Sequence, residues 1–321
     1  MSELLKVEHL KKYFIKKGIF GSKTTTVKAV DDITFSLYKG EVFVLAGESG
    51  SGKSTIAKLI LKSIQPDSGK IIFENQEIDN DEKNLKKIRM NCQMIHQDPY
   101  DSINPRMKIG DIIAEPLEIH NLGNKDERLQ RVREVLQEVK LEPSDEIIKK
   151  YPHMLSGGQR QRVVLARALS VKPKIIIADE PVSMLDMSIR AEMLELMHDL
   201  QKKYQISFIY ITHDLATARY FGQRIAILYL GKIVEIGPIN NVLLKPRHPY
   251  TQALIDAISE PDPSNLHKEK KIRINEPIEI DVYQGCRFRS RCPYLMDKCK
   301  VEPKLERIAD GHFCACYAEL D

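Results

Sequence analysis

Gly47-Glu48-Ser49-Gly50-Ser51-Gly52-Lys53-Ser54-Thr55 decides how this chain is read. The stretch fits G-x-x-x-x-G-K-[ST] and follows the apolar run Glu41-Val42-Phe43-Val44-Leu45-Ala46, so a strand is predicted to feed a phosphate loop. Glycines let the backbone curl until successive N–H groups point inward and form a nest for phosphate oxygens. Lys53 adds positive charge toward the β- and γ-phosphates, and Ser54 offers its hydroxyl to Mg²⁺. A helix predicted from about Lys53 turns its positive end toward the same anion. The stretch predicts a nucleoside-triphosphate site.

Around it the chain alternates between strand and helix patterns, the signature of α/β layering. Strands are predicted at Val42–Ala46, Ile71–Phe73, Gln93–His96, Lys174–Ala178, Ser207–Thr212 and Arg224–Leu230. Helical faces carry Leu129, Val132, Leu136 and Val139, and Ile189, Met193, Leu196, Met197 and Leu200. Residues 107–150 lack a strand pattern and predict a helical lobe, taken to run to about residue 170 and punctuated by Pro143 and Pro152. After about Glu260 the composition shifts: Pro261 and Pro263, then the basic run Lys268, Lys270, Lys271 and Arg273, then cysteines. Two units are therefore predicted, residues 1–260 and a small cysteine-rich extension, 261–321.

Composition excludes several classes. Hydrophobic residues at 42% and charged residues at 29% supply a sizeable core and argue against disorder. The net charge of +4 (49 basic less 45 acidic) is interleaved along the chain, so no nucleic-acid partner is predicted. No apolar run approaches the roughly 20 residues of a membrane span. The N-terminus, with Glu3 and Glu8, does not read as a signal peptide, and a cytoplasmic protein is predicted.

Two further motifs sharpen the reading. Leu155-Ser156-Gly157-Gly158-Gln159 opens an apolar helix with a glycine pair, a second anion-suited N-terminus, although a glycine turn with a capping serine would look the same. Ile175-Ile176-Ile177-Ala178-Asp179-Glu180 is an apolar strand ending in two carboxylates, common enough alone but not in this order after a P-loop. With these motifs following the P-loop in this order, residues from about 5 to 260 resemble an ATP-binding cassette (ABC) ATPase.

That resemblance implies a set of roles. Phe14, or Tyr13 if the register shifts by one, would stack on adenine; Gln97 matches the Q-loop glutamine that senses Mg²⁺ and faces a membrane partner. Asp179 matches the carboxylate that holds Mg²⁺ and Glu180 the one that polarises the attacking water. Ser183-Met184-Leu185-Asp186 resembles the D-loop, and His213 the switch histidine at the γ-phosphate. Ser156, Gly157, Gly158 and Gln159 would complete the ATP site of a second cassette, so that two cassettes clamp two nucleotides.

Cys92 stands apart and reads as a small buried hydrophobe, whereas Cys286, Cys292, Cys299, Cys314 and Cys316 crowd the C-terminal end. A reducing compartment makes disulfides poor candidates, which favours a metal site over scattered free thiols. The spacings C-x₅-C and C-x₆-C match neither a common zinc knuckle nor a bacterial ferredoxin run, leaving zinc and iron–sulfur both open. Arg287, Arg289 and Arg291 flank the first two cysteines and are expected to offset thiolate charge.

This tail resembles that of oligopeptide and dipeptide importer ATPases, as do Gln97–Arg106 and Arg247–Leu254. The resemblance implies a [4Fe–4S] cluster on Cys286, Cys292, Cys299 and Cys316, with Cys314 departing from the pattern. The Lys16–Phe20 insertion points to an F-type subunit, paired with a different D-type ATPase beneath two transmembrane permease subunits and served indirectly by a solute-binding protein. His96 stands where the group has an apolar residue or Phe. The implied function is ATP hydrolysis at the cytoplasmic face of the membrane that powers peptide import. Oligosaccharide or nickel import, or a carbon–phosphorus lyase-type assembly, are the alternatives.

Overall fold

The structure is a computed structural model that describes residues 2–16, 25–257 and 283–318. Residues 17–20 of the Lys16–Phe20 insertion, and the proline and lysine segment after Glu260, lie outside the described residues.

In chain order the strands are β1 (Glu3–Lys16), β2 (Thr25–Tyr38), β3 (Val42–Ala46), β4 (Ser68–Phe73), β5 (Gln76–Glu77), β6 (Cys92–Ile95), β7 (Ile175–Asp179), β8 (Ser207–Thr212), β9 (Arg224–Tyr229), β10 (Lys232–Pro238), β11 (Glu306–Ala309) and β12 (His312–Cys314). The helices are α1 (Lys53–Ile60), α2 (Glu82–Asn91), α3 (Pro99–Ser102), α4 (Ile109–Ile119), α5 (Lys125–Glu138), α6 (Ser144–Ile147), α7 (Gly157–Ser170), α8 (Met187–Tyr204), α9 (Leu215–Phe221), α10 (Ile239–Leu244) and α11 (Pro249–Asp256). The α/β class follows from this order, and residues 107–150 carry helices alone among the described elements.

The large sheet has the order β11-β12-β10-β9-β3-β8-β7-β6, and β9, β3, β8, β7 and β6 run parallel. Parallel strands covered on both faces favour near-continuous apolar runs, and β3 and β8, buried throughout with only Ser207 and Thr212 at the ends of β8 polar, are easily read from sequence. Successive side chains of β3 enter different cores. Phe43 and Leu45 pack with α1 and the second, antiparallel sheet (β2-β1-β4-β5), while Val42, Val44 and Ala46 pack on the side of α4, α5, α7 and α8.

Because the parallel strands point one way, their carboxyl ends share one edge of the sheet, the usual place for a ligand crevice. The chain leaves β3 into the phosphate loop, β6 toward Gln97, β7 into Glu180 and β8 into His213.

At the other side of the sheet the chain does something the composition did not announce. β12 pairs antiparallel with β10 (Glu235 opposite Cys314, Ile236 opposite Phe313), so the cysteine-bearing segment continues the main sheet. The buried carboxylate of Glu235 locks this seam. It accepts from the Arg247 and His248 N–H groups at 2.9 and 3.0 Å and lies 2.8 Å from His312 Nε2.

Candidate active site

The phosphate loop is built on glycines that nothing else can replace at two points. Gly47 (φ 147°) and Gly52 (φ 106°) lie in the left-handed region, and a Cβ would stand 2.2 Å from the Leu228 carbonyl oxygen and 2.1 Å from that of Ala29. Gly52 is the residue from which α1 starts, so the helix opens directly at Lys53. The Lys53 ammonium is buried and donates to Gly47 O at 2.7 Å, Glu48 O at 2.8 Å and Ser51 Oγ at 3.3 Å. Burial pulls its pKa below the ordinary lysine value, against the pull of Glu180, Asp179 and Glu48. A cation held this way inside a ring of amides is a ready seat for a polyphosphate.

Asp179 closes β7, and burial pushes its carboxyl above the ordinary value; the Ser54 hydroxyl, hydrogen-bonded to it, opposes that shift, and neighbouring Glu180 adds to it. Ser54 and Asp179 are hard oxygen donors, and the crowded negative charge of Asp179 and Glu180 is the kind a divalent cation relieves. This donor set fits Mg²⁺.

Glu180 stands in the left-handed region (φ 48°), with its N–H bonded to Ile211 O at 2.9 Å. Such a backbone at a non-glycine residue is uncommon and turns the side chain off the strand axis. Its carboxylate receives Gln97 Nε2 at 3.1 Å on one oxygen and faces His213 Nδ1 at 2.8 Å on the other. Three residues from three different strand ends thus meet at one carboxylate, and its field reaches Lys53.

The aromatic pair at β1 divides cleanly. Phe14 is 40% exposed and fills no core, with Lys12 Nζ 5.8 Å from its ring centroid. Neighbouring Tyr13, on the opposite face of the strand, gives its hydroxyl to Asp31. Asp31 is in turn ion-paired with buried Arg287. Burial alone would raise the Asp31 carboxyl; the Tyr13 hydroxyl, Lys232, Arg287 and Lys28 overrule it and hold the group below its ordinary value.

The glycine-pair motif is not brought to this cluster. Ser156 caps α7 in a capping box with Gln159 (Ser156 Oγ accepts from Gln159 N–H at 3.3 Å, Gln159 Oε1 from Ser156 N–H at 3.1 Å). Ser156, Gly157 and Gln159 are exposed, while a Cβ on Gly158 would come within 2.7 Å of Ile189. Asp186, at the start of α8, is exposed too, with Met184 beside it. Ser49 belongs to the loop itself and Thr55 to the first turn of α1; Gly50 has open space around it.

Cys286, Cys292, Cys299 and Cys316 line one pocket, together with His248, Phe288 and Tyr317. Cys314 does not line it; its residue sits in β12 opposite Glu235. Burial raises the thiol of Cys286 to about 12 and that of Cys292 to about 11, and raises Cys316 as well. Among the described residues no group of three or more His, Cys, Asp or Glu side chains is arranged to hold a metal ion. The four thiols are gathered, not focused. Cys92 is buried in β6, as its reading as a small hydrophobe required.

Two of the three arginines expected to offset thiolate charge, Arg287 and Arg291, are paired with carboxylates instead. Arg287 pairs with Asp31, and Arg291 Nη1 lies 3.3 Å from a carboxylate oxygen of Glu48, inside the phosphate loop. Tyr250, which also touches the loop by accepting the Glu48 N–H at 2.8 Å, lies in the Arg247–Leu254 stretch, where no motif assigns it a role.

Residues 30–183 match the ABC transporter family, and residues 234–299 match the oligopeptide/dipeptide transporter C-terminal region. The chain is 43% identical to "Probable peptide ABC transporter ATP-binding protein y4tS" of Sinorhizobium fredii over 98% of its length and 89% of that protein's. It is 41% identical to the oligopeptide transport ATP-binding protein AppF of Bacillus subtilis, over 98% and 97% of the two chains. Among solved structures it resembles cbiO1 of Clostridium perfringens, part of the transporter complex cbiONQ (TM-score 0.66, 27% identity, 76% of this chain and 92% of that one). It also resembles the cassette MJ0796 in a dimeric post-hydrolysis state bound to ADP and Pi (TM-score 0.64, 29% identity, 74% and 99%). A phosphate loop, paired carboxylates at a strand end and near full-length identity above 40% agree: the chain belongs to the ATP-binding ATPase subunits of ABC transporters and carries the oligopeptide/dipeptide type of C-terminal region.

Proposed function

We propose that this chain hydrolyses ATP to drive the import of di- and oligopeptides through a membrane permease. The observation that carries the catalytic part is the meeting of Gln97 and His213 on Glu180, beside the Lys53 loop. The solute class is supported by the relatives named for peptide and oligopeptide transport and by the matched C-terminal region.

Hydrolysis of a γ-phosphate needs an in-line water, neutralised charge and fixed positions more than covalent help. Glu180 accepts the proton of the attacking water and aims its lone pair, with Gln97 and His213 restraining the carboxylate from either side. Lys53 and the loop amides take up the charge that builds on the phosphate oxygens. Mg²⁺ when bound, held by Ser54 and Asp179, shares that charge. Phe14 presents the exposed ring on which adenine stacks.

Ser156, Gly157, Gln159 and Asp186 face solvent in this chain and, with Gly158 beneath them, serve the ATP site of a second cassette. By its F-type features that partner is a D-type ATPase. The groove lined by Tyr100, Ser102, Asn104, Pro105, Met107 and Arg167 next to Gln97 receives the permease subunits, which place this chain at the cytoplasmic face of the membrane and which a solute-binding protein feeds. No described helix is long and apolar enough to cross a membrane itself. A strain lacking the gene should regain uptake of labelled peptides from wild type but not from Glu180→Gln; restored uptake of nickel or an oligosaccharide in place of peptides would overturn the solute class.

Cys286, Cys292, Cys299 and Cys316 are proposed as ligands of a [4Fe–4S] cluster, supported by their shared pocket and by the exclusion of Cys314 from it. Protein purified without oxygen should hold about four irons per chain and absorb near 400 nm. One zinc with negligible iron would refute the cluster, and neither metal would refute the site.

A further inference from the structure

Glu48 ties the phosphate loop to two residues outside it, Tyr250 and Arg291. Its carbonyl accepts from Lys53 Nζ at 2.8 Å, its N–H is bonded to the Tyr250 hydroxyl at 2.8 Å, and its carboxylate meets Arg291 Nη1 at 3.3 and 3.4 Å. Arg291 directly precedes Cys292, and its Nη1 also stands 3.5 Å from the Tyr229 hydroxyl. Tyr229, Tyr250 and Phe288 form a packed ring cluster, with centroids 4.5 Å apart for the two tyrosines and 5.3 and 5.5 Å to Phe288. Phe288 is 1% exposed and lies in the same cysteine-flanked loop. The loop between Cys286 and Cys292 is thus anchored by an aromatic core and extends one charged arm to the phosphate site. Another arginine of the same loop, Arg287, reaches Asp31, which holds Tyr13 on the strand that presents Phe14.

We propose that Arg291 and Tyr250 are positioning residues for ATP binding, fixing the phosphate loop at Glu48 so that nucleotide affinity depends on the cysteine-bearing extension. The inference rests on the reading of Gly47–Thr55 as an ATP site. A loop with glycines at positive φ loses much freedom when it orders around an anion, and tethers that order it beforehand lower that cost. The Arg291–Glu48 pair is partly exposed (27% and 46%), so its contribution is modest and salt-sensitive, on the order of a two- to five-fold change in affinity. Loss of the Tyr250 hydroxyl removes a buried partner of a main-chain N–H, an effect of about five-fold or more.

The test is equilibrium binding of a fluorescent ATP analogue with Mg²⁺ to the full-length protein. Arg291→Ala should raise Kd about two- to five-fold at low salt, with the difference shrinking at about 1 M salt, and Arg291→Lys should restore most of the affinity. Glu48→Gln combined with Arg291→Ala should be no weaker than the weaker single variant, because both delete one interaction. Tyr250→Phe should weaken binding independently of salt. Unchanged affinity in Arg291→Ala and Tyr250→Phe, or fully additive effects of Glu48→Gln and Arg291→Ala, would overturn the positioning role alone. Wild-type protein that binds no analogue, or binds it no better than Lys53→Ala, would overturn the ATP-site reading and this inference with it.

Discussion

Replacing Glu180 by Gln probes the centre of the proposed mechanism with the smallest change in shape. The carboxylate accepts from Gln97 on one oxygen and faces His213 on the other, and a glutamine retains one acceptor oxygen while turning the other into a donor. The Gln97 contact needs the remaining oxygen, the His213 contact then survives only with Nδ1 unprotonated, and in every case the group that takes the water's proton is gone. Loss of a positioned base costs about 10²- to 10⁴-fold, which is roughly 3–5.5 kcal/mol of barrier. Binding should respond in the opposite direction. Glu180 places negative charge near Lys53, so its removal leaves the site more favourable for a polyphosphate. The assay is single-turnover release of phosphate from ATP by the complex purified through this chain, alongside nucleotide affinity. Hydrolysis within about three-fold of wild type would refute the role of Glu180, and so would weakened ATP binding with turnover falling only in proportion.

Phe14→Ala should weaken ATP by about 1–2 kcal/mol with little loss of thermal stability, since the ring is exposed, whereas Tyr13→Phe should spare ATP affinity and lower stability; titration of a fluorescent analogue and thermal melts separate the two. Asp31→Asn leaves buried Arg287 without its charge partner and should cost about 3 kcal/mol in denaturant unfolding. The folded Asp31 value is depressed, so its contribution is complete above the unfolded value near 3.8 and is lost as pH falls through the folded one; wild type should lose stability across that window more steeply than Asp31→Asn. Ser156→Arg, on an exposed cap, should abolish hydrolysis in the complex while leaving this chain's own affinity for ATP unchanged, and a joint loss of both would place the serine in its own site.

The legible parts of this chain are those whose physics is local. β3, β7 and β8 are buried on both faces, so their interiors are continuous apolar runs that announce themselves, and the polar and functional residues sit where those runs stop. β1 and β2 are twice as long and went unread, because Lys11 and Lys12 interrupt the alternation and their pairing shifts register near His9 and Asp32, both at positive φ. β12 needed a partner, β10, on the far side of a long intervening segment, and no window of sequence contains both. Arg291 is the sharpest case. Read locally, an arginine beside a cysteine pair looks like compensation for thiolates. In the fold its partner is 243 residues away, in the most recognisable motif of the chain. Motif recognition found Glu48 only as an unspecified position within G-x-x-x-x-G-K-[ST], because the chemistry common to P-loops is carried by the glycines, Lys53 and Ser54. What this chain adds at that position is a charge, and a charge acquires its role from what the fold brings against it. The residues a family shares were visible at once. The contact that ties its cysteine extension to its phosphate loop became visible only when β10, β12 and the aromatic cluster had closed the distance.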